Sequence, residues 1–161
     1  MKRGKWWIVS ALIFCVLFGL WWLWWEVPTY RKARADVVVR ELCAKDGGLK
    51  VYETIKLPAD RFNQFGEIRV LHERHHKSND DEFFYTTEDT WITRDKESIV
   101  ELVIWRGQFK LFRTVDNKLL GEAVYYARRG GDPIGPWHVS SLSCPEKSDI
   151  KYLAQRVFVK Q

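Results

Sequence analysis

Cysteine is scarce in this chain. There are three among 161 residues, Cys15, Cys43 and Cys144, and their spacing excludes a C-x-x-C redox motif. No G-x-S-x-G elbow and no phosphate-binding Gly-rich loop ahead of a helix occurs, so the usual signatures of serine hydrolases and nucleotide enzymes are missing. Internal repeats and low-complexity linkers are absent too, which leaves no basis for a solenoid. The formal charge of +5 suggests a basic protein, but its excess is confined to one end. Residues 1–35 hold six basic groups and one acidic group, and the remaining 126 residues hold 20 of each. A neutral domain lacks the electrostatic footprint of a nucleic-acid binder, and nothing in the composition implies a cofactor.

Charge is also absent from residues 6–25, WWIVSALIFCVLFGLWWLWW. Twenty residues make a helix about 30 Å long, the thickness of a bilayer's hydrocarbon core. Trp6 and Trp7 lie at one end and Trp21, Trp22, Trp24 and Trp25 at the other, where indole rings favour the headgroup region. This stretch is expected to span a membrane as an uncleaved anchor, since it exceeds a signal peptide's apolar region and Ala33-Arg34-Ala35 lies far beyond it. Residues 1–5 then form a short tail, 26–34 a basic juxtamembrane segment, and 35–161 one domain. Ala11, Cys15 and Gly19 recur every four residues, a small-residue stripe that permits close approach of a second helix.

Positive charges flank the span on both sides and do not fix its orientation. Cys43 and Cys144 do so better, because two cysteines near opposite ends of a domain read naturally as one extracytoplasmic disulfide. The N-terminus is therefore expected in the cytoplasm and the domain outside.

Within the domain, Pro28 predicts a kink at 27–29, after which a second helix runs to about residue 44. Its Ala35, Val38, Val39, Leu42 and Cys43 share one face. Alternation over 49–57 predicts a half-buried strand, and Pro58 and Gly66 bracket a short helix carrying Phe62 and Phe65. A further strand is possible at 67–72. Four strands are predicted at 84–92, 99–105, 109–115 and 119–127, with Gly107 and Asp116-Asn117 as tight connections. Ile150, Leu153, Ala154 and Val157 then fall at helical spacing. The expected fold is α+β, with helices on a four- or five-stranded antiparallel sheet.

Cys43-Ala44-Lys45-Asp46-Gly47-Gly48, then Val51-Tyr52-Glu53-Thr54, and later Gly135-Pro136-Trp137-His138 and Cys144-Pro145 carry a resemblance. Over both ends of the domain the chain resembles a group of small single-pass bacterial membrane proteins. The resemblance implies a bacterial envelope setting and brings no catalytic residues.

Two motifs invite chemistry. His72-Glu73-Arg74-His75-His76 matches H-E-x-x-H, in which His72 and His76 on a helix would hold zinc and Glu73 would act as base. Polar Arg74 and His75, an extended-looking approach and a following polar loop favour a solvated loop instead. The loop 130–138 is stiffened by Pro133 and Pro136, and it could hold Ile134 and Trp137 outward as an apolar contact beside Arg128 and Arg129. Trp137 folded back into the core is the competing arrangement. The reading that follows is a non-catalytic interaction or assembly component of the bacterial inner membrane. Its expected partners are the bilayer and another membrane or envelope protein, with a second copy of the chain as one candidate. A zinc hydrolase and a domain binding lipid or a small ligand are the alternatives.

Overall fold

The computed structural model describes residues 3–73, 81–95, 101–133, 135–136 and 138–161. Its first element is α1, Arg3–Asp46, a single helix of 44 residues and therefore about 66 Å long. The expected second helix is thus the continuation of the first. Pro28 lies inside α1 without ending it, since a proline withdraws only one hydrogen bond from a long ladder. The next residue, Thr29, donates its hydroxyl back to the Trp25 carbonyl one turn earlier at 2.9 Å. The N-terminal part of α1 is long and apolar enough to cross a membrane, and none of that stretch is covered by the rest of the chain.

A mixed sheet of six strands follows. Its main path runs β1 (Gly48–Val51), β6 (Lys118–Gly130), β5 (Leu102–Arg113), β4 (Phe83–Asp95) and β3 (Leu71–His72), and β7 (Ser141–Cys144) pairs with β6 beyond β1. The expected purely antiparallel sheet is corrected at its edge, where β3 runs parallel to β4. A second sheet pairs β2 (Ile55–Leu57) with β8 (Phe158–Lys160), also in parallel.

Local chemistry accounts for the other departures. The predicted strand over 49–57 is split into β1 and β2. After Pro58 the chain makes only a 3-10 turn, Ala59–Arg61. The Asn63 side-chain oxygen accepts from the amides of Phe65 and Glu67, both at 2.9 Å, and this closed turn leaves no room for a helix. The two strands predicted at 99–105 and 109–115 are one strand, β5. Gly107 does not turn the chain. It lies opposite Tyr125 on β6, and a Cβ there would overlap the Tyr125 ring. By contrast, Asp116-Asn117 does form the β5–β6 turn, with Asn117 at φ 52° and the Asp116 carboxylate accepting from the Lys118 amide at 3.1 Å.

Each face of the sheet is covered by one helix, but over different lengths. On one face Ala35 and Val39 of α1 bury against Leu102, Ile104, Val124 and Tyr126. Val38 faces away, 40% exposed, so the packed stripe of α1 is narrower than its spacing suggested. On the other face α2 (Ile150–Val157) inserts Leu153 and Val157 against Leu111, Leu120 and Ala123. Asp149 caps this helix by accepting from the Tyr152 amide at 3.0 Å. Because α2 is only eight residues long, it covers just the end of its face near the β5–β6 turn.

Candidate functional site

The uncovered remainder of that second face is a hollow of about 790 Å³, the size of a small-molecule site. Alternation along the strands determines what lines it. Ile104, Val124, Tyr126 and Arg128 point to α1, so Val103, Trp105, Tyr125 and Arg129 point the opposite way. Trp91 of β4 stands opposite Trp105, with ring centroids 5.9 Å apart, and it remains 56% exposed. The guanidinium of Arg94 lies 5.4 Å from the Trp91 ring centroid.

The floor is fixed by Gly107. Its missing side chain lets the Tyr125 ring lie across β5, stacked on Phe109 at 5.8 Å, with its hydroxyl donating to Asp89 of β4 at 3.4 Å. Burial pushes the Tyr125 phenol above its ordinary pKa and the Asp89 carboxylate adds to this, while the Trp105 indole works against it. Tyr125 is therefore a neutral hydroxyl at physiological pH, suited to hydrogen bonding and not to acid–base work.

One end of the hollow is tied to α1. Lys32 of α1 meets Asp132 at 2.7 Å, and Asp132 also accepts from the Ser140 amide at 2.7 Å and the Ser140 hydroxyl at 2.8 Å. Burial alone would raise the Asp132 carboxyl, but Lys32 and the two Ser140 donors outweigh it and hold it below the usual carboxylate range. Asp132 and Pro133 also line a second hollow, against Trp25, Thr29 and Lys32. Both hollows thus border on these two residues.

Comparison with protein-family models, curated proteins and solved structures returns no match.

Of the residues singled out by sequence, Arg128 is not available to a partner. Its side chain is 3% exposed and donates to Asp36 of α1, to the carbonyls of Gly130 and Ser140, and to the Ser140 hydroxyl. Arg129, its neighbour, is exposed on the hollow side. Ile134 and Trp137 lie outside the described residues. Cys43 and Cys144 are bonded, with Cα atoms 6.0 Å apart. His72 sits on β3, where its ring meets Tyr85 edge-on at 5.0 Å, and Glu73 follows it; His76 lies outside the described residues. A strand at His72 differs from the helix that a zinc H-E-x-x-H needs. Among the described residues no group of three potential metal ligands converges. Trp6, Trp7, Trp21, Trp22, Trp24 and Trp25 are all exposed on α1. Cys15 is free and exposed, Ala11 is exposed one turn before it, and a Cβ at Gly19 would meet open space.

Trp91, Arg94, Trp105 and Tyr125 were missed as a set. Each strand alone reads as half-buried, and only the register of β4, β5 and β6 brings these residues together. The one local signal is Gly107, which sits in a strand of β-formers and marks a close approach as readily as a turn.

Proposed function

We propose that this chain is a single-pass protein of the bacterial inner membrane, with a cytoplasmic N-terminus and residues 35–161 in the periplasm. It acts there without catalysis, as an interaction or assembly component of the envelope. The observation that carries this reading is the fixed junction between helix and sheet. Asp36–Arg128, Lys32–Asp132 and Cys43–Cys144 tie the last turns of α1 to the domain, and the Tyr126 hydroxyl donates to Asp46 at the end of the helix at 2.7 Å. A rigid stalk of this kind holds one surface of a domain at a set height and orientation over a bilayer. An enzyme acting on a soluble substrate has no need of it.

The surface so held is the hollow around Trp91 and Trp105. An exposed Trp91, packed on a half-buried Trp105 and an arginine, presents the residue types that dominate binding energy at interfaces. The stripe of Ala11, Cys15 and Gly19 gives α1 a second contact surface, for another helix within the membrane.

The test joins topology to recognition. Alkaline phosphatase fused after Gln161 is expected to be active and a cytoplasmic reporter at the same place silent. A photo-crosslinker at Trp91 in the full chain is expected to trap an envelope component that a crosslinker at Val115, 89% exposed on the β5–β6 turn, does not. Active cytoplasmic reporter, or identical products from both positions, would overturn the reading.

A further inference from the structure

We infer that Phe65 and the apolar pocket beside it form a self-complementary patch through which two copies of this chain associate, each placing its ring in the other's pocket. The contact goes beyond the function proposed above and draws on its reading of α1 as a membrane span for the strength of the association.

The protruding ring is the first argument. Phe65 is 72% exposed, although phenylalanine is among the residues most often withdrawn from water. The turn that carries it is fixed. Besides the two bonds accepted by its side chain, Asn63 donates its amide to the Glu67 carbonyl and accepts from the Gly66 amide, both at 2.9 Å. Gly66 takes φ 74° there, a conformation that glycine adopts without strain. A ring on so constrained a turn loses little freedom when a partner covers it.

The pocket is the second. Gly66, next to Phe65 in the chain, belongs to its wall, and Phe62, Ile68, Val70, Ile150, Ala154 and Phe158 supply the apolar surface. Its volume is about 180 Å³, and a cavity of about 150 Å³ admits benzene. One phenyl ring therefore fits. At the mouth Glu67 and Lys151 are paired at 2.5 Å, so their charges cancel and two such mouths can approach without like-charge repulsion. A two-fold contact brings the same patch of both copies together. Ring and hole of matching size on one patch meet that requirement.

Orientation and strength agree with this. α1 and α2 pack on opposite faces of the main sheet, so copies that meet on their α2 sides keep both α1 helices outermost and pointing the same way. One bilayer demands that arrangement. Two exchanged rings bury roughly 300–500 Å², less than the roughly 1,000 Å² of a stable interface between free proteins. Tethering offsets the shortfall, because a shared membrane raises the effective concentration of one patch at the other.

The test replaces Phe65 with p-benzoylphenylalanine in the full chain and irradiates native membranes. A covalent dimer is expected, with residue 65 of one copy joined to the α2 peptide of the other by mass spectrometry. Gln155→Trp, at an exposed position on the mouth, should lower the dimer yield about tenfold or more, as exclusion of a buried ring predicts. Lys151→Glu, also exposed, sets a second carboxylate beside Glu67 and should lower it too. Arg156→Trp, exposed but outside the pocket, should leave it unchanged. Cross-links confined to single chains, or a dimer indifferent to both mouth variants, overturn the proposal. Cross-linking to a different protein overturns the second copy as occupant. Carbonate extraction separates the two levels. A chain released by carbonate yet cross-linked supports the contact and overturns the span, whereas a chain retained without the dimer overturns the contact alone.

Discussion

Arg128 on β6 and Asp36 on α1 are joined at 2.7 Å, and the arginine side chain is 3% exposed. Along α1 this pair lies between two further ties, with Lys32–Asp132 nearer the apolar N-terminal part of the helix and Cys43–Cys144 nearer its C-terminal end. Removing one partner of a buried pair leaves an uncompensated charge, so Asp36→Ala is expected to lower stability by about 3 kcal/mol. Neutral acceptors at Gly130 and Ser140 would still hold the guanidinium, though none carries charge. Urea titration of the full chain in detergent measures the loss. A midpoint equal to that of wild type would show that the neutral acceptors suffice.

The disulfide closes a loop with a sequence separation of 101 residues. In the chain-entropy model a bond of that reach constrains the unfolded chain by about 4.7 kcal/mol, and strain in real domains reduces the gain. Cys43→Ser with Cys144→Ser is expected to be destabilised by about 2–4 kcal/mol, and reductant should bring wild type to the same midpoint. If reductant shifts the double-serine variant as well, the bond is not what the reductant acts on.

Gly107→Ala should destabilise through one contact, because the new Cβ would overlap the Tyr125 ring. Overpacking of this kind costs about 1–3 kcal/mol. Tyr125→Ala removes the obstacle, so the double variant is expected to be more stable than the two single losses added together. Additive losses in thermal melts would place the effect in the β5 backbone.

What the sequence made legible was local, and what it hid depended on pairing. The apolar stretch of α1 and its terminal tryptophans could be read because one run of residues carries the signal. So could α2, whose Leu153 and Val157 repeat on one face behind an Asp149 cap, and the turn at Asn117. Gly107 was misread because glycine punctuates a turn and a close approach with the same letter. The parallel pairings of β2 with β8 and β3 with β4 join segments far apart in the chain or displaced by a loop, and no local pattern encodes them. Arg128 and Arg129 look equivalent in sequence, yet strand alternation sends one into the α1 contact and the other into the hollow. The hollow was illegible for the same reason, since its walls come from three strands with register shifts at Trp91/Thr93 and Leu111/Phe112.

Acid should loosen the Lys32–Asp132 tie before neutral or alkaline conditions do. Asp132 is held below the usual carboxylate range by Lys32 and by the amide and hydroxyl of Ser140, against the opposing effect of burial. Its folded pKa therefore lies below its unfolded pKa of about 3.9. Between the two values the unfolded chain binds more protons, so stability rises with pH across that window. The contribution is complete above the unfolded value, at about pH 5 and beyond, and is lost as pH falls through the folded value. Asp132→Asn removes the charge and should cost about 1.5 kcal/mol at pH 7, the typical value of a hydrogen bond to a charged group. Glu53, Glu67, Asp116 and Glu122 are also held low and will make both proteins acid-sensitive. The informative quantity is therefore the difference between wild type and variant. That difference should shrink toward zero as the pH is taken from 7 to about 2.5. Urea midpoints for the pair at four or five pH values measure it. A gap that keeps its size down to the lowest pH would assign the loss to altered packing around Asn at 132, and the Lys32 tie would then contribute little.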